Sequence, residues 1–255
     1  QSSLPNAAKG YPPREPRENS VHGVADTAAH STQLRTAPIL ADLARGDLNS
    51  LRALLSGRRT RGTSLAAQLD ARHDTEKQDT LLTWAARHGQ AEAVRLLLKG
   101  GASVGATNGG GATALLLASE KGHLDCVRLL VEASAAVNQA KENGATPLYV
   151  ASEKGHVEIS RLLVEAGAGI NQAEQDGGTP LLLARQEGQL ECVRLLLEAG
   201  AAIDQADEQG ATPLFAACQD GHPECAQLLL EAGASVNQAD AEGYTPLSAA
   251  SFNGE

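Results

Sequence analysis

The chain has 255 residues but only two Phe, three Tyr, one Trp and no Met, so its Leu- and Ala-rich sequence suits thin layers of helices better than one core built on large aromatics. Its formal net charge of −10 is divided unevenly, because residues 1–100 carry 14 Lys and Arg against 10 Asp and Glu, whereas residues 101–255 carry 7 against 21. Nucleic acids and anionic membranes call for clustered cations, and no stretch reaches the roughly 20 apolar residues that cross a bilayer, so we expect no nucleic-acid partner and no membrane in this segment.

The first segment, residues 1–35, is rich in Pro and in mixed charges and has almost no large apolar residue. It cannot bury enough surface to offset the entropy of ordering, so we predict a disordered arm or linker. Residues 36–73 follow, with an apolar, helix-like stretch over residues 39–55 and then an Arg-rich loop around residues 57–73.

From residue 74 onward the chain is periodic. Thr, Ala and Gly each recur every 33 residues. Three residue types that share one period indicate a repeat array rather than a single domain. The recurring Thr and Gly positions are Thr80, Thr113, Thr146, Thr179, Thr212 and Thr245, and Gly89, Gly122, Gly155, Gly188, Gly221 and Gly254.

One unit, residues 141–173, illustrates the predicted structure. Thr146 suits the N-cap of a short first helix, and Pro147 falls at the first helical position, where its missing N–H is harmless. Gly155 ends this helix, a second helix follows, and Gly167 closes it. Neither helix is long enough to be stable alone, so each must pack on neighbouring units.

Three short motifs recur in register. They are Thr-Pro-Leu at 146–148, 179–181, 212–214 and 245–247, Gly-His at 122–123, 155–156 and 221–222, and Leu-Leu-x-x-x-Gly-Ala at 162–168 and 195–201. Together they resemble the ankyrin repeat family, and the resemblance covers residues 74–255, where the last repeat is truncated. It implies an all-α solenoid of about seven units, in which helix-turn-helix units stack and β-hairpin-like loops join them. Residues 36–73 then hold a degenerate first repeat and an insertion.

Two features depart from the family pattern. The family usually has His after Thr-Pro-Leu, and we expect apolar packing to replace the hydrogen bonds of that His. The positions concerned hold Leu116, Tyr149, Leu182, Phe215 and Ser248. Ser134 stands where Gly closes the second helix elsewhere, at a cost of about 1 kcal/mol, and Arg185 replaces a small residue. We therefore expect the repeats that begin at Thr113 and Thr179 to be locally looser.

No group of residues predicts catalysis, a cofactor or a metal site. The chain lacks a nucleophile elbow, a phosphate-binding loop and kinase motifs. Cys126, Cys192 and Cys225 share one position on the second helix, where a small buried hydrophobe fits, and Cys218 takes the place of a small residue in the first helix. Neighbouring units lie roughly 8–10 Å apart, too far for disulfides, so we predict free thiols and a cytoplasmic or nuclear location.

Hairpin tips and the ends of the first helices vary from unit to unit while the repeat pattern stays constant. Partners of such arrays bind along the concave surface, where varied side chains give specificity, although drift at solvated positions is the alternative for each residue. Tyr244 and Phe252 are the strongest candidates, because aromatics are scarce here and anchor interfaces. The predicted partner-binding residues are Glu142, Asn143, Glu153, Lys154, Asp176, Gln186, Glu208, Gln209, Gln219, Asp220, Glu242, Tyr244 and Phe252.

We therefore predict a non-catalytic, monomeric scaffold or adaptor that holds a protein partner with a basic surface. The alternative is a regulatory or substrate-targeting arm of a larger enzyme, such as a kinase or a ubiquitin-ligase adaptor, or of a channel, because the chain has no start Met and stops within a repeat. The resemblance also implies that turn residues Asn138, Asn171 and Asn237 are candidates for hydroxylation. An Asn that caps its own turn is the structural alternative.

Overall fold

The computed structural model describes residues 38–57, 64–73 and 77–253, with side chains as far as Ser251. The predicted arm, residues 1–35, lies outside these ranges. Within them the chain is helical, and the one β-type contact is an isolated bridge between Thr107 and Thr113. The prediction of an all-α solenoid is confirmed.

The first helix pair has the same order as the later units. Residues 38–44 are helical (α1), Gly46 follows with φ +75°, and α2 spans Asn49–Ser56. The Arg-rich stretch then contains a short helix, α3, at Leu65–Leu69. The prediction of a loop around residues 57–73 is therefore wrong for these five residues. The Ser64 side chain accepts a hydrogen bond from the Ala67 N–H at 3.2 Å, and Leu69 is fully buried, which together stabilise this single turn.

Each later unit begins with a helix that a Thr caps. The Thr146 hydroxyl, for example, accepts a hydrogen bond from the Tyr149 N–H at 3.2 Å, and Pro147 occupies the first helical position as predicted. The helix pairs are α4 (Leu81–Arg87) and α5 (Ala91–Lys99), α6 (Ala114–Glu120) and α7 (Leu124–Glu132), α8 (Pro147–Glu153) and α9 (Val157–Glu165), α10 (Pro180–Gln186) and α11 (Leu190–Glu198), α12 (Pro213–Gln219) and α13 (Pro223–Glu231), followed by α14 (Pro246–Asn253).

The turn between the two helices of a unit is shaped by Gly and by a His of the next unit. Gly122 has φ +77°, and a Cβ atom added to it would lie 2.7 Å from the His156 ring. The same ring donates a hydrogen bond from Nε2 to the Glu120 carbonyl at 3.2 Å. His123, His156 and His222 therefore each tie their unit to the preceding one, and such a ring requires a residue without a side chain at that turn.

The residue that follows the second helix of a unit also has a left-handed backbone conformation. Gly167 has φ +87° at this position, and Ser134 adopts φ +62° at the equivalent one. The predicted left-handed Ser is confirmed, and it is one of two residues other than Gly with positive φ in the described part of the chain.

The units share one large apolar core. First helices pack on first helices along the series α4, α6, α8, α10, α12 and α14, and second helices do the same from α5 to α13. One continuous apolar cluster runs from Ile39 to Ala234, and Leu148 and Leu163 within it are fully buried. No helix of seven to nine residues is stable alone, so the stability of each unit comes from its neighbours.

Candidate functional site

The predicted partner-binding residues form two rows, one along the hairpin tips and one along the C-terminal ends of the first helices. We call this surface the hairpin–helix face. Glu153 is half-buried, and the other eleven residues whose side chains the structure describes are exposed, including Tyr244 at 43%. Phe252 lies on α14, but its side chain is outside the described part. Their role in binding stays a prediction.

Side-chain hydrogen bonds shape the hairpin tips. Asp207 Oδ1 accepts from the backbone N–H groups of Gln209 and Ala211, both at 2.9 Å. Asp240 Oδ1 accepts in the same way from Glu242 at 3.0 Å and Tyr244 at 2.8 Å. Such turns fix the backbone locally, so the exposed side chains at the tips are presented from a defined framework.

Backbone hydrogen bonds link each tip to the next in the second part of the array. The N–H of Gln175 donates to Asn143 O at 3.0 Å, Glu208 donates to Asp176 O at 3.2 Å, and Ala241 donates to Gln209 O at 2.9 Å. A Cβ atom added to Gly177 would lie 2.8 Å from Glu208 N, so this close approach requires Gly. The tips from residue 142 to residue 244 therefore form one continuous row.

Ion pairs occupy two of the helix ends. Glu120 pairs with Lys121 at 2.8 Å, and Glu153 pairs with Lys154 at 2.6 Å. The hydrogen bond that Lys154 donates to Glu153 raises the pKa of Lys154, and the nearby carboxylates of Glu187 and Glu120 add to this effect. The two Lys side chains are exposed and the two Glu side chains are half-buried, so these pairs contribute little to stability and the Lys charges are accessible to a partner.

A buried cation lies beneath the acidic part of this face. The Arg185 side chain is only 5% exposed, and its Nη1 lies 2.7 Å from Oδ2 of Asp220 in the next unit. Burial lowers the pKa of the Arg185 guanidinium, while Asp220 and Asp207 oppose that shift. Arg185 therefore joins two units through an ion pair. Its replacement of a small residue does more than change the packing at that position.

Charge divides the hairpin–helix face into two parts. The units that begin at Thr80, Thr113 and Thr146 carry both signs, and we call them the mixed half. The units that begin at Thr179, Thr212 and Thr245 form the acidic half, where buried Arg185 is the one Lys or Arg that the structure places at the hairpins and first helices. The carboxylates of the acidic half are Glu174, Asp176, Glu187, Asp207, Glu208, Asp220, Asp240 and Glu242.

Comparison with known families identifies this architecture. A family profile described as ankyrin repeats (3 copies) matches residues 39–141, 134–207 and 202–255. The chain belongs to the ankyrin repeat family. Its first match includes residues 39–57, the helix pair that the sequence indicates as a degenerate repeat. No curated protein matches the chain. Ankyrin repeats are in general protein–protein interaction modules, which agrees with the predicted class of function.

Apolar packing fills four of the five positions where the family has His after Thr-Pro-Leu, as predicted, but the prediction is wrong for Ser248, whose hydroxyl donates to Thr245 O at 2.7 Å and accepts from the Thr245 N–H at 2.8 Å. Leu116, Leu182 and Phe215 are buried, and Leu116 belongs to a second apolar cluster that Tyr149 packs against. Burial and the carboxylates of Glu174, Glu153 and Asp176 raise the pKa of the Tyr149 hydroxyl to about 12.

Sequence reasoning left Tyr149 out of the predicted site, although its half-buried ring packs against the second apolar cluster, next to the hairpin–helix face. The scarcity of aromatics, the signal used for Tyr244, also marks Tyr149.

The turn Asn residues of this ankyrin array join units together. Asn138 Oδ1 accepts from the Gly169 N–H at 2.7 Å, and Asn171 Oδ1 accepts from the Ala202 N–H at 2.8 Å. Asp204 takes the same role toward Ser235 at 2.9 Å. The interpretation that such an Asn caps its own turn is wrong for Asn138 and Asn171, because each bonds to the turn of the following repeat.

The four cysteines of the array are free thiols, as predicted. Cys126, Cys192 and Cys225 are buried, and burial raises the pKa of the Cys126 thiol to about 11. In the part of the chain that the structure describes, no three His, Cys, Asp or Glu side chains are grouped as a metal site requires. Likewise, no helix within those residues is long and apolar enough to cross a bilayer.

Proposed function

We propose that this ankyrin array is a non-catalytic, monomeric scaffold that holds a protein partner on its hairpin–helix face and that this partner presents a basic surface. The observation that carries the proposal is the continuous row of hydrogen-bonded tips, which displays exposed Asp176, Glu208 and Glu242 on three successive tips. Varied side chains on a fixed backbone are the usual means by which a repeat scaffold binds selectively.

The charge of the acidic half indicates the charge of the proposed partner's surface. The acidic half has eight carboxylates and one buried, already paired Arg185, so a cationic surface is the complementary one. Interfacial charges at the rim act mainly on the association rate and are screened by salt. Binding should therefore weaken, and association should slow, as the salt concentration rises.

Buried free thiols favour a reducing compartment, so we place the interaction in the cytoplasm or nucleus. Oxidation is disfavoured on the second helices because the raised pKa of Cys126 leaves little thiolate at neutral pH.

The test is quantitative affinity capture with charge-matched variants. One variant carries Glu208→Lys and Glu242→Lys on the hairpin–helix face. The control carries Glu165→Lys and Glu198→Lys, which are exposed at the ends of second helices and make the same change in net charge. A third variant is Tyr244→Ala. We expect proteins retained by the parent and by the control to be lost from the Glu208/Glu242 variant and reduced for Tyr244→Ala. Equal loss from both double variants would contradict a site on this face.

A further inference from the structure

A depression of about 440 Å³ opens on the mixed half of the hairpin–helix face. It lies beside the tip formed by Gly109 and Gly110, which stand where later units carry longer side chains. Beneath it lie Ala112, Leu116 and Leu117, whose side chains are buried, so the surface that a ligand can reach belongs mainly to the rim. The space exists because this one tip lacks side chains, and we call it the glycine-tip depression.

The rim of the depression is predominantly basic. Lys77, Arg87 and Lys141 line it together with one carboxylate, Glu120. Arg87 is held by a two-point interaction with buried Asp79, at 3.1 and 2.9 Å. Lys77 is exposed and Lys141 is half-buried, so these two ammonium groups are the ones that can turn toward a ligand.

Two titratable groups report opposite potentials one repeat apart. Burial alone would raise the pKa of Glu120, but Lys121, Lys141 and Arg87 lower it below its ordinary value. Tyr149, one unit further on, has its pKa raised by burial and by three carboxylates. The charged side chains of the hairpin–helix face therefore change from predominantly basic at the glycine-tip depression to acidic in the acidic half.

We propose that the hairpin–helix face binds an extended, charge-segregated polypeptide segment in one orientation, with an acidic residue in the glycine-tip depression and a Lys/Arg-rich run on the acidic half. This proposal rests on the proposed function and adds the partner's charge order. The acidic side chain pairs with Lys77 and Lys141. The reverse placement would bring like charges together at both ends.

The repeat spacing sets the length of the segment. Neighbouring units lie roughly 8–10 Å apart, and the acidic tips begin two units after the depression. An extended chain advances about 3.3 Å per residue. The acidic residue and the start of the basic run should therefore be separated by about six residues.

Two synthetic peptides test the proposal by fluorescence anisotropy on the whole chain. The first has a Glu-Ser pair, a six-residue Gly/Ser spacer and a run of four Lys and Arg. The second replaces the Glu-Ser pair with Gly-Ser. We expect the first peptide to bind about tenfold more tightly than the second, as one charge-assisted contact would give. A nitroxide on its Glu-Ser end should broaden NMR signals of residues 109–117 and leave those of residues 208–217 intact.

Variants of the protein show which residues cause the tenfold difference in affinity between the two peptides. Lys77→Glu with Lys141→Glu should abolish the preference, whereas Lys99→Glu, an exposed change on a second helix, should retain it. Gly110→Gln fills the depression without strain, since a Cβ atom there meets its nearest neighbour at 3.7 Å, and it too should remove the preference.

Each outcome decides between the two proposals. If the second peptide binds through Glu208 and Glu242 but the first binds no better, the charge order is overturned and the scaffold function stands. Equal broadening at both ends of the array would also overturn the single orientation. If neither peptide binds up to about 1 mM and capture is insensitive to Glu208→Lys with Glu242→Lys, both proposals fail.

Discussion

The buried pair of Arg185 and Asp220 offers a sharp test of how the units are held together. Asp220→Ala removes the carboxylate and leaves a guanidinium that is 5% exposed without its ion-pair partner. Losing one member of a fully buried pair costs about 3–5 kcal/mol. Because the Asp220 side chain is 37% exposed, solvent screens the pair, and we expect a loss of about 2 kcal/mol in the free energy of unfolding.

Companion variants separate the charge pair from packing. Arg185→Met keeps a long side chain but removes the buried charge, so we expect it to stay within about 1 kcal/mol of the parent. The double variant should match Arg185→Met, since Asp220 then has no partner to lose. Asp176→Ala is the control for deleting an exposed carboxylate and should change stability by less than about 0.5 kcal/mol. Urea unfolding followed by circular dichroism measures all four. An unchanged free energy of unfolding for Asp220→Ala would refute the reasoning. A double variant that lost as much stability as the two single variants together would also refute it.

Three further predictions concern the turns and the response to acid. In urea unfolding, Gly122→Ala should cost about 1 kcal/mol more stability than Gly167→Ala. Both residues have positive φ, but only a Cβ atom at Gly122 would meet the His156 ring. Equal losses of stability would exclude the His contact as the cause. Ser134→Gly should stabilise by about 0.5–1 kcal/mol by relieving φ +62°, and no gain would contradict a strained cap. Burial lowers the pKa of His73 to about 4 from 6.5, so its contribution to stability is present above pH 6.5 and is lost as the pH falls through 4, on the order of 3 kcal/mol in all. His73→Gln should flatten this part of the pH profile, and an unchanged profile would exclude His73.

Local chemistry made much of the fold predictable from sequence. Thr146 caps a helix, Pro147 starts it and Gly167 closes the second one, and each role depends on the residue and its nearest neighbours along the chain. The shared period then implies stacking, since short helices need partners. Exposure of the predicted tip residues also follows from the pattern.

Contacts between units were harder to predict. Arg185 appeared only as a misfit in a small position, yet its partner Asp220 lies 35 residues on, in the next repeat. Asn138 likewise bonds to a turn 31 residues away rather than to its own. The depression at Gly109 and Gly110 is lined by residues from neighbouring repeats, such as Lys77 and Lys141. The pattern of a single repeat does not describe such contacts.

Carboxyl footprinting of the array with its captured partner tests the central claim most directly. Carbodiimide labelling, read by mass spectrometry, compares exposed carboxylates on the hairpin–helix face with those at the ends of second helices. We predict that binding protects Asp176, Glu208 and Glu242 and leaves Glu165 and Glu198 labelled as in the free chain. Protection of Glu165 and Glu198, with the tip carboxylates unchanged, would place the partner on the second helices and contradict the account.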